Sequence, residues 1–395
     1  MKNKEIENKR IAILTFFKSG NFGGELQAYA LQKVLREYGY NVEVLHQLRP
    51  NNKEFVHTGN FKPIYNPTDS KTKKSRVKGK IIANLTKIFN VFFGKNSRVR
   101  LQRFEDFEKK HINLTSKVFT SFDDLYSSKL DYDVYIVGSD QVWNYEYVFS
   151  PEPYFLTFAN ENALKISYAA SIGHSSLPDE VIPFYKKWLE SFNSISLRES
   201  QGVDIVKSIT EKEAITVLDP TLLIPKNDWL KFFDLKSTQS NEKYLLIYIL
   251  VESTYVFEKA REIANHLNLK IKRVVPRSWS RQNYSDIENI YDAGPIEFID
   301  LFANASFVLT NSFHGTAFSV NFNIPFYSIP KRTKKTNSRF INLLNLVGLQ
   351  DRIVYDGEER DLLLSLMEID FATANDRLEI EKSKSLDFLN ESINQ

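Results

Sequence analysis

The chain has 395 residues, of which 42% are hydrophobic and 26% charged, with a formal net charge of +3 and no cysteine. Its length exceeds one ordinary core and predicts two domains, while the missing cysteine excludes disulfides, thiolate metal sites and a cysteine nucleophile. The balanced charge argues against a nucleic-acid binder, and no run of about 18 apolar residues is present to span a bilayer.

The amino terminus, Met1 to Arg10, is charged and has no apolar h-region, so a cytoplasmic location is expected. Ile11 to Phe17 reads as the first strand. Lys18 to Gly24 follows as a glycine-rich loop opening a helix over Glu25–Tyr38, whose Leu26, Ala30, Val34, Leu35 and Tyr38 form one stripe. The loop is neither G-x-G-x-x-G nor a phosphate loop. It predicts a site for something polar other than a dinucleotide. Gly39 ends the helix, and Asn41 to Leu45 is the second strand.

From Lys71 to Arg103 there are eleven Lys or Arg residues and no Asp or Glu. Val77, Ile81, Leu85, Ile88, Phe89 and Phe92 recur there at helical spacing. This predicts a basic amphipathic insertion over residues 63–110, suited to an anionic membrane surface. A helix packed on its own domain with a solvated basic face satisfies the same pattern.

A helix around Phe104 to His111 leads to strands at Val134–Val137, Ile166–Ala170, Ser194–Leu197 and Ile215–Leu218. Ile224 to Asp228 marks the passage into a second unit. Its elements are Tyr244–Val251, a helix at Val256–Leu267, Lys270–Val275, a helix from Pro295 to Asn304, Ala305–Leu309, Phe326–Ile329 and a helix at Ser338–Leu346. The alternation predicts an α/β protein with two facing Rossmann-like domains, residues 1–225 and 226–370. The segment 371–395 reads as a charged helix returning toward the first domain.

In open parallel sheets ligands bind beyond the carboxyl ends of the strands, so the residues after each strand are the candidates. Thr310 to Thr316 is the most informative such stretch. Ser312 is suited to cap the helix that follows, placing His314 in its first turn among unpaired amides that attract an anion. The imidazole can also move a proton near neutral pH. Val137 to Asn144 offers the carboxylate of Asp140 beside Trp143 and Asn144, a combination suited to carbohydrate. Arg198 follows a third strand and is able to clamp an anion or to pair with Glu199 or Asp219. Lys331 and Arg339 add cations near His314, and an anionic substrate is expected.

The blocks GNFGGELQAYALQKVL, IVGSDQVWN, SYAASIG, SLRE, LDPTLL, TNSFHGTAFS and NSRF, in this order, resemble the polysaccharide pyruvyl transferase family. The likeness runs from about residue 11 to residue 355. It implies a GT-B-like fold and transfer of pyruvate from phosphoenolpyruvate onto two sugar hydroxyls, giving a cyclic ketal and phosphate with no metal or redox cofactor. Carried onto this chain, it points to His314 and Asp140 as catalytic. Arg198, Ser312, Gly315, Thr316, Lys331 and Arg339 become the donor side, and Asn21, Gln27, Trp143 and Asn144 the acceptor side. Ser312 stands where many members have arginine, so another cation must hold the donor. The expected partners are phosphoenolpyruvate and a sugar or lipid-linked oligosaccharide, met at the inner face of the membrane. A nucleotide-sugar glycosyltransferase and a non-catalytic membrane-surface protein are the competing readings.

Overall fold

A computed structural model describes residues 9–18, 20–65, 94–236, 242–276, 284–333 and 337–395. The anticipated amphipathic positions Val77 to Phe92 lie outside the described residues.

The first sheet contains β1 (Arg10–Leu14), β2 (Asn41–Gln47), β3 (Leu114–Phe119), β4 (Val134–Val137), β5 (Leu164–Ala170), β6 (Ser194–Leu197) and β7 (Ala214–Thr216). Its spatial order is β3-β2-β1-β4-β5-β6-β7, and every pair is parallel. The second sheet contains β8 (Tyr244–Tyr248), β9 (Lys270–Val274), β10 (Glu288–Ile290), β11 (Phe307–Thr310) and β12 (Phe326–Ser328). It runs β10-β9-β8-β11-β12, again parallel throughout. Each sheet thus reverses its winding once, between β1 and β4 and between β8 and β11. Such reversals leave a crevice at the carboxyl edge.

The central strands β1, β4, β8 and β11 are almost continuously apolar and, apart from the exposed Arg10 that starts β1, buried, as strands covered on both faces must be. Two edge strands, β3 and β10, escaped the sequence reading. β3 exposes three of its six residues and β10 is only three residues long, so neither carries an apolar run.

Helix α1 (Phe22–Glu37) follows β1, and its N-terminal Phe22 joins the two halves. The Phe22 ring stacks on Phe298 with centroids 4.6 Å apart and meets Tyr248 edge-on at 5.9 Å. Helix α2 (Gly94–His111) contributes a polar strut. Arg100 donates to the carbonyls of Gly20 and Val275, both at 2.7 Å, tying the loop after β1 to the end of β9. Arg103 pairs with Asp292 and Glu297, each at 3.1 Å. These two residues of the basic run therefore hold the protein together, and the expectation of a surface-facing basic helix does not apply to them.

The last helix, α6 (Phe371–Ile393), lies against α5 (Ser338–Val347) and against the first sheet's side of the molecule. Ser385 accepts from the Leu218 amide at 3.0 Å, and Gln395 donates to Ser194 at 2.8 Å. Between these lie α3 (Pro295–Ala303) and α4 (Phe313–Asn321), which flank β11. Among the described residues no helix is long and apolar enough to cross a membrane.

Candidate active site

The carboxyl edges of both sheets open onto one cleft of ≈ 920 Å³, its solvent-filled mouth included. The first half contributes Asn21, Arg49, Asp140, Gln141 and Tyr147. The second contributes Asn311, Ser312, Phe313, His314, Lys331, Asn337 and Arg339. Two helix N-termini converge here. Asn21 caps α1 by accepting from the Gly23 amide at 3.1 Å, and Ser312 caps α4 by accepting from Gly315 at 3.4 Å. The first intrahelical bond of α4 runs from Thr316 to the Ser312 carbonyl. The amides of Phe313 and His314 precede it and have no partner within the helix, which makes this end of α4 an anion cradle.

Close packing fixes the imidazole. A Cβ on Gly23 would lie 2.0 Å from His314 Nδ1, so the start of α1 is pressed against the ring. On the other edge, His314 Nε2 is 3.6 Å from Asp219 Oδ2. Gly315 permits the close approach of α4 to β11, since a Cβ there would lie 2.2 Å from the Thr310 hydroxyl.

Asp219 is the electrostatic anchor. It is fully buried and accepts from Arg198 Nη1 at 2.8 Å, from Ser139 at 2.9 Å, and from the amide and hydroxyl of Thr221 at 3.0 and 2.8 Å. Burial works to raise its carboxyl, but the charge of His314 and the charge and hydrogen bond of Arg198 outweigh that and hold it well below the ordinary range. Arg198 Nη2 also lies 3.5 Å from Asp140 Oδ1, and its guanidinium covers the Phe313 ring at 4.5 Å. Arg198 Nη2 and His314 Nε2 are buried without a hydrogen-bond partner. Such groups in a native site call for a ligand or water.

Asp140 adopts φ +73°, a conformation strained for a side chain other than glycine. The neighbouring Ala169 has φ +51°, where β5 loses register against β6 between Ser167 and Ala170. Asp140 bridges to Ala170 at that strand end and lines the cleft. Burial would raise its pKa, yet Arg198, then His314 and Arg339, lower it below the usual range. Arg339 is itself shifted down, first by burial and then by the neighbouring Arg198. The cleft is thus crowded with positive charge.

Of the residues expected from the sequence, Asn21, Asp140, Ser312, His314, Lys331 and Arg339 line this space. Arg198 does not; it stands behind Asp140 as a buried brace. Gly315 and Thr316 are packing residues of α4, with Thr316 bonded to Ser312 and Ser328. The acceptor-side assignments need correction. Trp143 is wholly buried, stacked on Phe155, and donates its indole N–H to Tyr154. Gln27 is consumed by Thr15, Phe16 and Gly24. Asn144 accepts from the Glu146 amide and faces His174. None of the three reaches the cleft; each instead shapes the loop behind it.

Sequence reasoning missed Arg49, Tyr147 and Asn311, and it named Asp219 only as one of two carboxylates open to Arg198. Arg49 lies two residues past β2, so extending the strand-end rule to that strand reveals it. Asn311 accepts from the Leu250 amide at 2.7 Å and donates to the Val251 carbonyl at 2.7 Å, welding the β8 and β11 ends together. Tyr147 sits in a loop with no periodicity to mark it.

Comparison with known proteins agrees with this architecture. A family model described as polysaccharide pyruvyl transferase matches residues 21–330. UDP-GlcNAc 2-epimerase from Neisseria meningitidis, solved with UDP-GlcNAc, shares the fold with a TM-score of 0.51 at 10% identity, over 97% of this chain and 100% of that one. The Methanocaldococcus jannaschii UDP-GlcNAc 2-epimerase aligns over 94% of this chain and 92% of its own, with a TM-score of 0.49 at 13% identity. No curated protein matches the sequence significantly.

Proposed function

Because the chain belongs to the polysaccharide pyruvyl transferase family, we propose that it moves pyruvate from phosphoenolpyruvate onto two hydroxyls of a glycan sugar. The product is a cyclic ketal and the leaving group is inorganic phosphate. The observation that carries this reading is the meeting of His314, buried Asp219 and several cations at the N-terminus of α4, facing Asp140 across one cleft.

Phosphoenolpyruvate is small and strongly anionic, and it has no ring to stack. The free amides of Phe313 and His314 suit its phosphate, with Lys331 and Arg339 beside them. His314, held between Gly23 and Asp219, delivers a proton to the methylene carbon of the donor. The adjacent phosphate-bearing carbon becomes electron-poor, and a sugar hydroxyl oxygen attacks it. Asp140 anchors that hydroxyl and takes its proton. A carboxylate of lowered pKa suffices, because a hydroxyl bonding to a cationic carbon becomes strongly acidic. The bond from that carbon to the phosphate oxygen then breaks, and the second hydroxyl closes the ring. One hydroxyl proton balances the one given to the new methyl group, and the other leaves with phosphate. These steps use no metal or redox cofactor.

The acceptor is a sugar or a lipid-linked oligosaccharide, and we assign the basic segment to peripheral contact with an anionic cytoplasmic membrane surface. Sedimentation with anionic vesicles tests the second point. Binding should fall when Lys73, Lys74, Arg76, Lys78 and Lys80 are neutralised. For the reaction itself, mass spectrometry of candidate glycans after incubation with phosphoenolpyruvate should show the added pyruvyl mass. Sugar transfer from a nucleotide-sugar, with no pyruvyl product, would favour a glycosyltransferase instead.

A further inference from the structure

Arg49 stands on the first-half wall of the cleft, two residues past the end of β2. Its backbone is held on both sides. The Leu48 amide donates to Phe119, the Asn52 amide donates to the Arg49 carbonyl at 2.8 Å, and His57 Nε2 lies 2.9 Å from the Pro50 carbonyl. The side chain lies over the Phe16 ring with its guanidinium carbon 4.3 Å from the centroid. Nε is buried and has no hydrogen-bond partner. No carboxylate among the described residues pairs with this guanidinium, whereas Arg198 pairs with Asp219 and Lys331 lies 3.8 Å from Asp356. A half-buried, pre-positioned and unpaired guanidinium is costly in the free protein, and an anion relieves that cost.

Tyr147 borders the same corner. It meets Phe16 edge-on at 5.4 Å and stacks on Phe149 at 4.9 Å. Burial and then the Asp140 charge push its phenol upward, so it stays protonated and able to donate. Arg49 and Arg339 both act on that phenol, which places the hydroxyl in a field shared by the two walls.

We propose that Arg49 is the specificity-determining cation for the donor's carboxylate, with the Tyr147 hydroxyl as a second donor. This rests on the phosphoenolpyruvate reading above. The α4 N-terminus, with its free amides, suits the more highly charged phosphate. A planar carboxylate matches the guanidinium fork on the opposite wall. The reacting carbon then lies between the walls, near Asp140.

Calorimetric titration of the full-length protein with phosphoenolpyruvate, vinyl phosphate (which lacks the carboxylate) and inorganic phosphate tests this. Wild type should bind phosphoenolpyruvate about 10- to 100-fold more tightly than vinyl phosphate, as expected for a charged hydrogen-bonded pair. Arg49→Met keeps an apolar stem against Phe16 and should abolish that preference while leaving vinyl phosphate and phosphate affinities unchanged. Arg49→Lys should restore part of it. Equal weakening of all three ligands by Arg49→Met, or a preference that survives it, would overturn the assignment of Arg49 alone. Failure of wild type to bind phosphoenolpyruvate would overturn the transfer reading as well.

Discussion

His314 Nε2 lies 3.6 Å from Asp219 Oδ2, yet Asp219 follows the last strand of the first sheet and His314 lies in the helix after β11 of the second. The contact exists only because the α4 N-terminus docks onto the first half at the point where Arg198, Ser139 and Thr221 already immobilise the carboxylate. The imidazole is therefore oriented by a rigid partner and not by a mobile surface acid. Replacing His314 by Ala should lower kcat by about 10²- to 10⁴-fold, the usual contribution of a positioned acid or base. The unfolding midpoint should change little. Near-normal turnover in this variant would remove His314 from the chemistry.

Gly23 offers a test that leaves every charge in place. An added methyl would sit 2.0 Å from His314 Nδ1, inside any tolerable contact, so Gly23→Ala must displace the ring or the start of α1. The variant should lose most of its turnover while His314 remains present. Steady-state kinetics beside a circular dichroism spectrum distinguishes this from misfolding; unchanged kcat would show that the ring position is not critical.

Asp219→Asn should be the most destabilising single change at the site. It removes the nearer of the two carboxylates that face Arg198, which is buried at 4% exposure, and leaves only Asp140 at 3.5 Å, a loss of about 3 kcal/mol for a broken buried pair. The linkage sign follows from the depressed carboxyl. Its contribution is present above the unfolded value near pH 4 and disappears as pH falls through the folded value. Urea unfolding at pH 7 measures the loss directly. A variant within experimental error of wild type would show that the pair adds no stability.

A second buried cluster has opposing pH responses. Glu108 lies 3.8 Å from Lys18, and Lys18 also contacts His46. Burial lifts Glu108 from 4.5 to about 7 despite Lys18, while burial and Lys18 lower His46 from 6.5 to about 4. Between pH 4.5 and 7 the folded state holds more protons at Glu108 than the unfolded chain, so that group loses stability as pH rises. Between pH 4 and 6.5 the unfolded chain holds more at His46, so that group gains stability as pH rises. The two act in opposite directions in wild type. Glu108→Gln should therefore become progressively more stable relative to wild type from pH 4.5 to 7, as read by denaturant titration. A pH-independent difference would contradict the raised carboxyl.

Much of this architecture was legible because parallel strands buried on both faces must be apolar. Val134–Val137 and Ser194–Leu197 were read with the limits the structure gives them. The family assignment from ordered blocks is supported over residues 21–330. What stayed hidden depends on neighbours distant in sequence. Nothing local to Trp143 shows that Phe155 and Tyr154 will cover it, and nothing local to Asp219 shows that His314 will arrive from the other half. Arg49 carries a plainer signal, since it lies two residues past β2, where the strand-end rule applies as it does to any other strand.

One cleft, built by both halves, is proposed to turn over phosphoenolpyruvate. The most direct measurement is a ³¹P NMR time course of the full-length protein with phosphoenolpyruvate and a lipid-linked or free oligosaccharide acceptor. Conversion of the donor signal to inorganic phosphate is expected only when acceptor is present, with one phosphate formed per pyruvyl group gained and no conversion by His314→Ala. A donor signal that persists with every glycan acceptor, while a nucleotide-sugar in the same tube is consumed, would contradict it.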